Sequence, residues 1–269
     1  MENTMRFEKV SFAGRMKSML KVDFRRMFKS TLFYILIACA LVIPILMTVM
    51  MSMMDASVSV NPQTGEETVM QDPENAWQNI GTFPGREAMG GNEVFMMCNI
   101  NMMFMAVAVF ICLFISEDFR SGYAKNLFTV RAKRGEYVIS KTLCGFVGGA
   151  LMLIAYFVGS VLGGAIAGLS FDLFGLSGGN LLMCMLSKVM LMPVFVSIFV
   201  LISVAAKKKA WLALCGSLGG GMLLFMMVSM ITPLNSTVVN VLFCAASGLL
   251  FAVGLGTISK AVLKRTSLV

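Results

Sequence analysis

There is no histidine among the 269 residues. That excludes His-based catalytic triads, most zinc enzymes and histidine proton relays. Charge is scarce too. Asp, Glu, Lys and Arg make up 13% of the chain, roughly half the share a soluble domain carries. The seven cysteines (Cys39, Cys98, Cys112, Cys144, Cys184, Cys215 and Cys244) lie in or beside apolar blocks, and no pair has metal or redox spacing. They read as small apolar fillers of helix faces. A phosphate-binding loop is missing as well: Gly219-Gly220-Gly221 runs into Met222 and Leu223 without a lysine. The chain is therefore expected to be no enzyme by itself, with no catalytic residue, metal or cofactor of its own.

What is present is hydrophobic sequence, 58% of the chain, gathered in blocks of 20 or more residues. Blocks of that length argue for membrane spans rather than a soluble core. Six are expected, at 32–54, 94–115, 142–168, 181–204, 210–232 and 239–259. Backbone groups in lipid must pair internally, so each should be a helix. The predicted fold is all-α: one polytopic membrane domain over residues 1–269, with six transmembrane helices and an N-terminal interfacial helix.

Lys and Arg set the orientation. With the N-terminus inside, segments 1–31, 116–141, 205–209 and 260–269 hold 20 of the 22 basic residues. The outer segments hold Arg86 alone, so both termini are expected in the cytoplasm. The first apolar run starts too late, and runs too long, for a cleavable signal peptide. The net charge of +8 thus reads as topology and lipid contact, with no nucleic-acid partner.

Residues 8–30 form the candidate interfacial helix. Phe12, Met16, Met19, Leu20, Phe24 and Met27 recur at helical spacing, and Arg15, Lys21, Arg25, Arg26 and Lys29 lie opposite. Such a helix should rest in the headgroup layer. Asp23 is the exception on its apolar face. The outer loop, 55–93, carries seven acids against Arg86. Within it Val58-Ser59-Val60 and Thr68-Val69-Met70 could pair as a hairpin or stay disordered.

Lys188 is the charged residue well inside a span. It lies close enough to the outer end of 181–204 to snorkel, and it could instead face a polar substrate path. No acid sits away from a span end, which counts against an ion-coupled carrier. Gly145 with Gly149, Gly159 with Gly163, and Gly216 with Gly220 have the spacing of close helix contacts. The 26 methionines suit a path for hydrophobic or amphipathic cargo, or serve as lipid-facing filler.

The inner loop 116–141 mixes charge with Phe119, Tyr123, Leu127 and Phe128, which share a helix face that could lie on the membrane or dock in a partner's groove. Glu117, Gly122, Leu127, Arg134 and Lys141 stand at the spacing seen after the second span in another family, with Tyr123 where Thr is usual and Arg131 where Pro is usual. In these residues and in its layout the chain resembles the membrane subunits of type-2 ATP-binding-cassette exporters. Its loop lengths look most like bacterial peptide and bacteriocin exporters or immunity permeases.

The resemblance implies a permease of the bacterial cell (inner) membrane. It would export amphipathic or antimicrobial peptides or hydrophobic compounds. Energy would come from separate ATPase subunits, two of them, which bind ATP and Mg. A second copy of this chain, or a related permease, would complete the path. Glu117, Phe119, Gly122, Tyr123, Lys125, Leu127, Phe128, Arg131 and Arg134 would form the coupling loop that meets the ATPase. Lys207, Lys208 and Lys209 would form a smaller inner contact. A secondary carrier or channel, and a non-transporting immunity or sensory scaffold, remain the alternatives at this point.

Overall fold

Ser11 opens the first helix, α1 (Phe12–Met27), where its hydroxyl accepts the Gly14 amide at 3.2 Å. The computed structural model describes residues 11–53, 58–60, 67–69, 75–81, 99–130 and 134–265. Arg131, Lys133, Pro84 and most of the acidic outer loop lie outside these residues. Met19, Asp23 and Met27 on α1 are buried, and the helix packs on the protein rather than resting its whole apolar face on lipid. The short turn at 28–30 leads into α2 (Thr31–Ser52).

Seven more elements of helix and sheet are described before the last two helices. β1 (Val58–Val60) pairs antiparallel with β2 (Glu67–Val69), Val58 opposite Val69, so the second strand begins one residue before the segment read from the sequence. A 3-10 turn covers Ala76–Asn79. α3 is Met102–Arg120, α4 is Tyr123–Val130, α5 is Arg134–Ala167 and α6 is Gly178–Ala206. α7 (Ala210–Ile231) and α8 (Val238–Arg265) complete the chain. Among the described residues the architecture is helical apart from this short strand pair and a single bridge between Asn75 and Ser170.

Among the described residues five helices are long and apolar enough to cross a membrane: α2, α3, α5, α6 and α8. In α7 the apolar stretch Ala210–Phe225 is shorter. The family of apolar helices makes this a multi-pass membrane protein. α3 and α6 are the most enclosed, which is why their sequences are apolar all round. α2 lies against α5, and α8 lies along α6. α8 leaves Leu242, Phe243, Leu249, Leu250 and Val253 exposed.

Glycine sets the closest contacts. A Cβ at Gly159 would stand 2.3 Å from the Leu41 carbonyl oxygen, so α5 meets the α2 backbone there with no room for a side chain. Gly163 repeats the contact one turn on, 2.9 Å from Ile45 Cα. Gly159→Leu should therefore cost about 1–3 kcal/mol through overpacking. A lower thermal midpoint for the purified variant checks this. Gly122, at φ +74°, breaks α3 from α4 in a conformation that favours glycine.

The ends of the bundle differ. α1, α4 and the three lysines after α6 gather at one, the basic end. At the far end Trp77 donates to the Phe171 carbonyl at 3.0 Å and stacks on Phe157. Ile80, Cys184 and Leu234 pack beneath it as a small apolar cap.

Candidate functional site: a buried charge cluster under the inner loop

Three helices each bring charge to one buried point at the basic end. α1 supplies Asp23 and Arg26, α3 supplies Asp118, and α5 supplies Lys141. Lys141 Nζ lies 2.8 Å from Asp23 Oδ1 and 2.8 Å from Asp118 Oδ2. Arg26 reaches Asp118 Oδ1 at 2.6 Å, and Asp23 is 4.0 Å away. The two carboxylates and Lys141 are wholly buried. Two anions meet two cations, so the cluster is neutral. An unbalanced set at this depth would be costly.

Hydroxyls complete the carboxylate shells. Ser140 donates to Asp23 Oδ2 at 2.5 Å, and Tyr137 donates to Asp118 Oδ2 at 2.9 Å. Rings cover the cations. Lys141 sits 3.9 Å from the Phe114 centroid, and the Arg26 guanidinium 4.3 Å from that of Tyr123. Burial opposes the Arg26 charge, but the Asp118 and Asp23 carboxylates outweigh it and push its pKa up. Burial, helped by the same two carboxylates, pushes the Tyr123 phenol up.

The cluster fastens α4 to the bundle. Tyr123 opens α4 beneath Arg26, and Phe128 near its end packs edge-on against Tyr137 at 5.4 Å. Arg134 lies over Phe128 and donates to the Leu263 carbonyl of α8. A second pair, Arg15 with Glu136 at 2.9 Å, ties α1 to the start of α5. Movement of α4 would therefore act on α1, α3, α5 and α8 together.

The aromatic face of the inner loop is turned inward. Phe119 is buried, Leu127 and Phe128 pack on the core, and Tyr123 is half-buried. They are covered by this chain's own helices rather than left for a partner. Glu117 and Lys125 are exposed, and so are Lys207, Lys208 and Lys209 on the link between α6 and α7. Gly122 stands between Phe119 and Tyr123, at the break from α3 to α4.

Lys188 does not snorkel. It is fully buried, with Nζ donating to Asn101 Oδ1 at 2.8 Å and Thr232 Oγ1 at 2.9 Å. Asn101 precedes α3 and Thr232 ends α7, so Lys188 joins the far ends of three helices. Among the described residues no group of His, Cys, Asp or Glu comes together to hold a metal.

The sequence reading missed Asp118 and Tyr137 and left Asp23 unexplained. One signal was available: a buried acid on an apolar helix face calls for a cation, and Lys141 is that cation.

A family model described as an ABC-2 family transporter protein matches residues 19–223. The chain belongs to that family. The matched stretch runs from the second half of α1 into α7, and it contains the whole charge cluster, the inner loop and Lys188. No curated protein and no solved structure matches the chain. Within the ABC-2 family the membrane proteins normally work with ATP-binding-cassette ATPase subunits.

Proposed function

We propose that this ABC-2 family protein is the permease subunit of an ATP-driven exporter in the bacterial cell membrane. The observation that carries the reading is the fastening of α4. A short helix with one polar exposed side is bound by a neutral ion cluster to three other helices. That is the arrangement a lever needs if a separate subunit pushes on it. The ATPase subunits, two per assembly, bind ATP and Mg. They meet Glu117 and Lys125 on the loop and Lys207, Lys208 and Lys209 beside it.

α7 serves as the sixth span in this reading: its 22 residues are mostly apolar and pack alongside α3 and α6. Six spans keep both termini on the cytoplasmic side, as the basic residues require. The bare apolar side of α8 meets lipid or a second copy of the chain. The cargo is an amphipathic or antimicrobial peptide or a hydrophobic compound, in keeping with the 26 methionines of the chain.

Mild-detergent purification of the tagged chain from its native membranes tests this. A P-loop protein should come with it in stoichiometric amount. Lys125→Glu, on the exposed side of α4, should cut that recovery about tenfold, while the variant inserts and melts as the parent does. Recovery of the chain alone from several detergents would turn the reading toward a carrier, channel or scaffold.

A further inference from the structure

A cleft of about 320 Å³ opens at the basic end between the start of α2, the end of α3 and the first residue of α7. Its polar side holds Arg26, Arg120, Ser30 and Ser116. Its apolar side is formed by residues such as Leu32 and Phe114. The Ser116 hydroxyl is buried, and it has no hydrogen-bond partner although it lines this space. A buried hydroxyl left unpaired is expensive, so its position calls for a ligand oxygen. α7 begins at Ala210 with no side-chain cap, and Ala210 lines the cleft, so the positive end of that helix dipole lies there.

We propose that this cleft binds the phosphodiester headgroup of an anionic membrane phospholipid. Arg120 is exposed at the mouth, and its planar fork suits two phosphate oxygens. Arg26 also lines the cleft beside its ion pairs with Asp118 and Asp23, so its cation adds to the positive field there. Ser116 donates to a third phosphate oxygen. Glu117 also lines the cleft. Its carboxylate repels a bare anion but accepts a bond from a headgroup hydroxyl, so a hydroxyl-bearing lipid such as phosphatidylglycerol fits best. The acyl chains leave along Leu32 and its neighbours toward the bilayer, a path that free phosphate does not need. Because Arg26 also holds Asp118, an occupied cleft would be sensed by the charge cluster.

The experiment uses the full-length purified chain and native mass spectrometry, with phosphatidylglycerol and phosphatidylcholine as separate probes. The parent should retain phosphatidylglycerol about tenfold better than phosphatidylcholine. Arg120→Glu should erase that preference, and Ser116→Ala should weaken it about threefold, with unchanged melting in both. Excess inorganic phosphate should leave the bound lipid in place. Equal retention of the two lipids, an undiminished preference in Arg120→Glu and Ser116→Ala, or displacement by inorganic phosphate at concentrations comparable to the lipid would each overturn the proposal. The last of these would assign the cleft to free phosphate. The outcome does not depend on recovery of an ATPase partner.

Discussion

Lys141→Met should be the most damaging single substitution in the chain. It leaves Asp23 and Asp118 buried with Arg26 as their remaining cation, and Arg26 reaches Asp23 only at 4.0 Å. Removing one partner of a buried ion pair costs about 3–5 kcal/mol, because the other partner stays desolvated. A membrane protein with ordinary stability would then accumulate poorly and melt at a much lower temperature. Thermal melting in detergent and the amount recovered from membranes both measure this.

The double variant Asp23→Leu with Lys141→Met separates scaffold from lever. It leaves Asp118 facing Arg26, one anion and one cation 2.6 Å apart. Charge balance returns, so most of the lost stability should return, with a coupling energy of about 2 kcal/mol between the two sites. α1 would no longer be tied to α5 through Asp23 and Ser140. ATP hydrolysis by the reconstituted complex should then stay insensitive to cargo although the protein is folded. Parent-like stimulation in this double variant would sink the lever reading and leave the cluster a purely structural device.

The apolar helices were legible because a run of 20 residues without charge has few other fates in a chain of this composition. The ends were less so. α3 continues to Arg120, past Glu117 and Asp118, where a hydropathy window stops. It can do so because Asp118 is neutralised by residues 92 positions earlier and 23 positions later in the chain, Arg26 and Lys141. Sequence marked Asp23 as out of place, yet its partner lies 118 residues away, beyond any local pattern. Periodicity found the aromatic face of α4 and could not say which way it would turn. The helix's exposed side decides that, and it is set by packing of Phe128 on Tyr137. The pairing of 58–60 with 67–69 is one of the two readings that alternation and turn residues, which are local signals, left open.

Snorkelling of Lys188 fails for a geometric reason, and the same geometry gives the last expected result. The distance from a helix end is a guide to snorkelling only when neighbouring helices end at the same level. Lys188 is ten residues into α6, or about 15 Å along its axis, yet it bonds to the residues that bound α3 and α7. Those helices therefore stop far short of the start of α6, and Lys188 fastens their ends beneath the Trp77 cap. Lys188→Met should fold well, since an apolar isostere removes a desolvated charge and leaves Asn101 its bond to Ser229. Its thermal midpoint should stay near the parent's. What changes is the fastening. Cys184 is buried one turn away on α6, against the Thr232 carbonyl, and is a free thiol. In the parent a membrane-impermeant maleimide applied from outside should leave Cys184 unmodified. In Lys188→Met the ends of α3 and α7 part more often, and labelling of Cys184, read by peptide mapping, should rise about tenfold, the effect of about 1.4 kcal/mol on an opening equilibrium. Unchanged labelling with unchanged melting would mean that Lys188 holds nothing shut, and its buried charge would then be better explained as a contact for cargo.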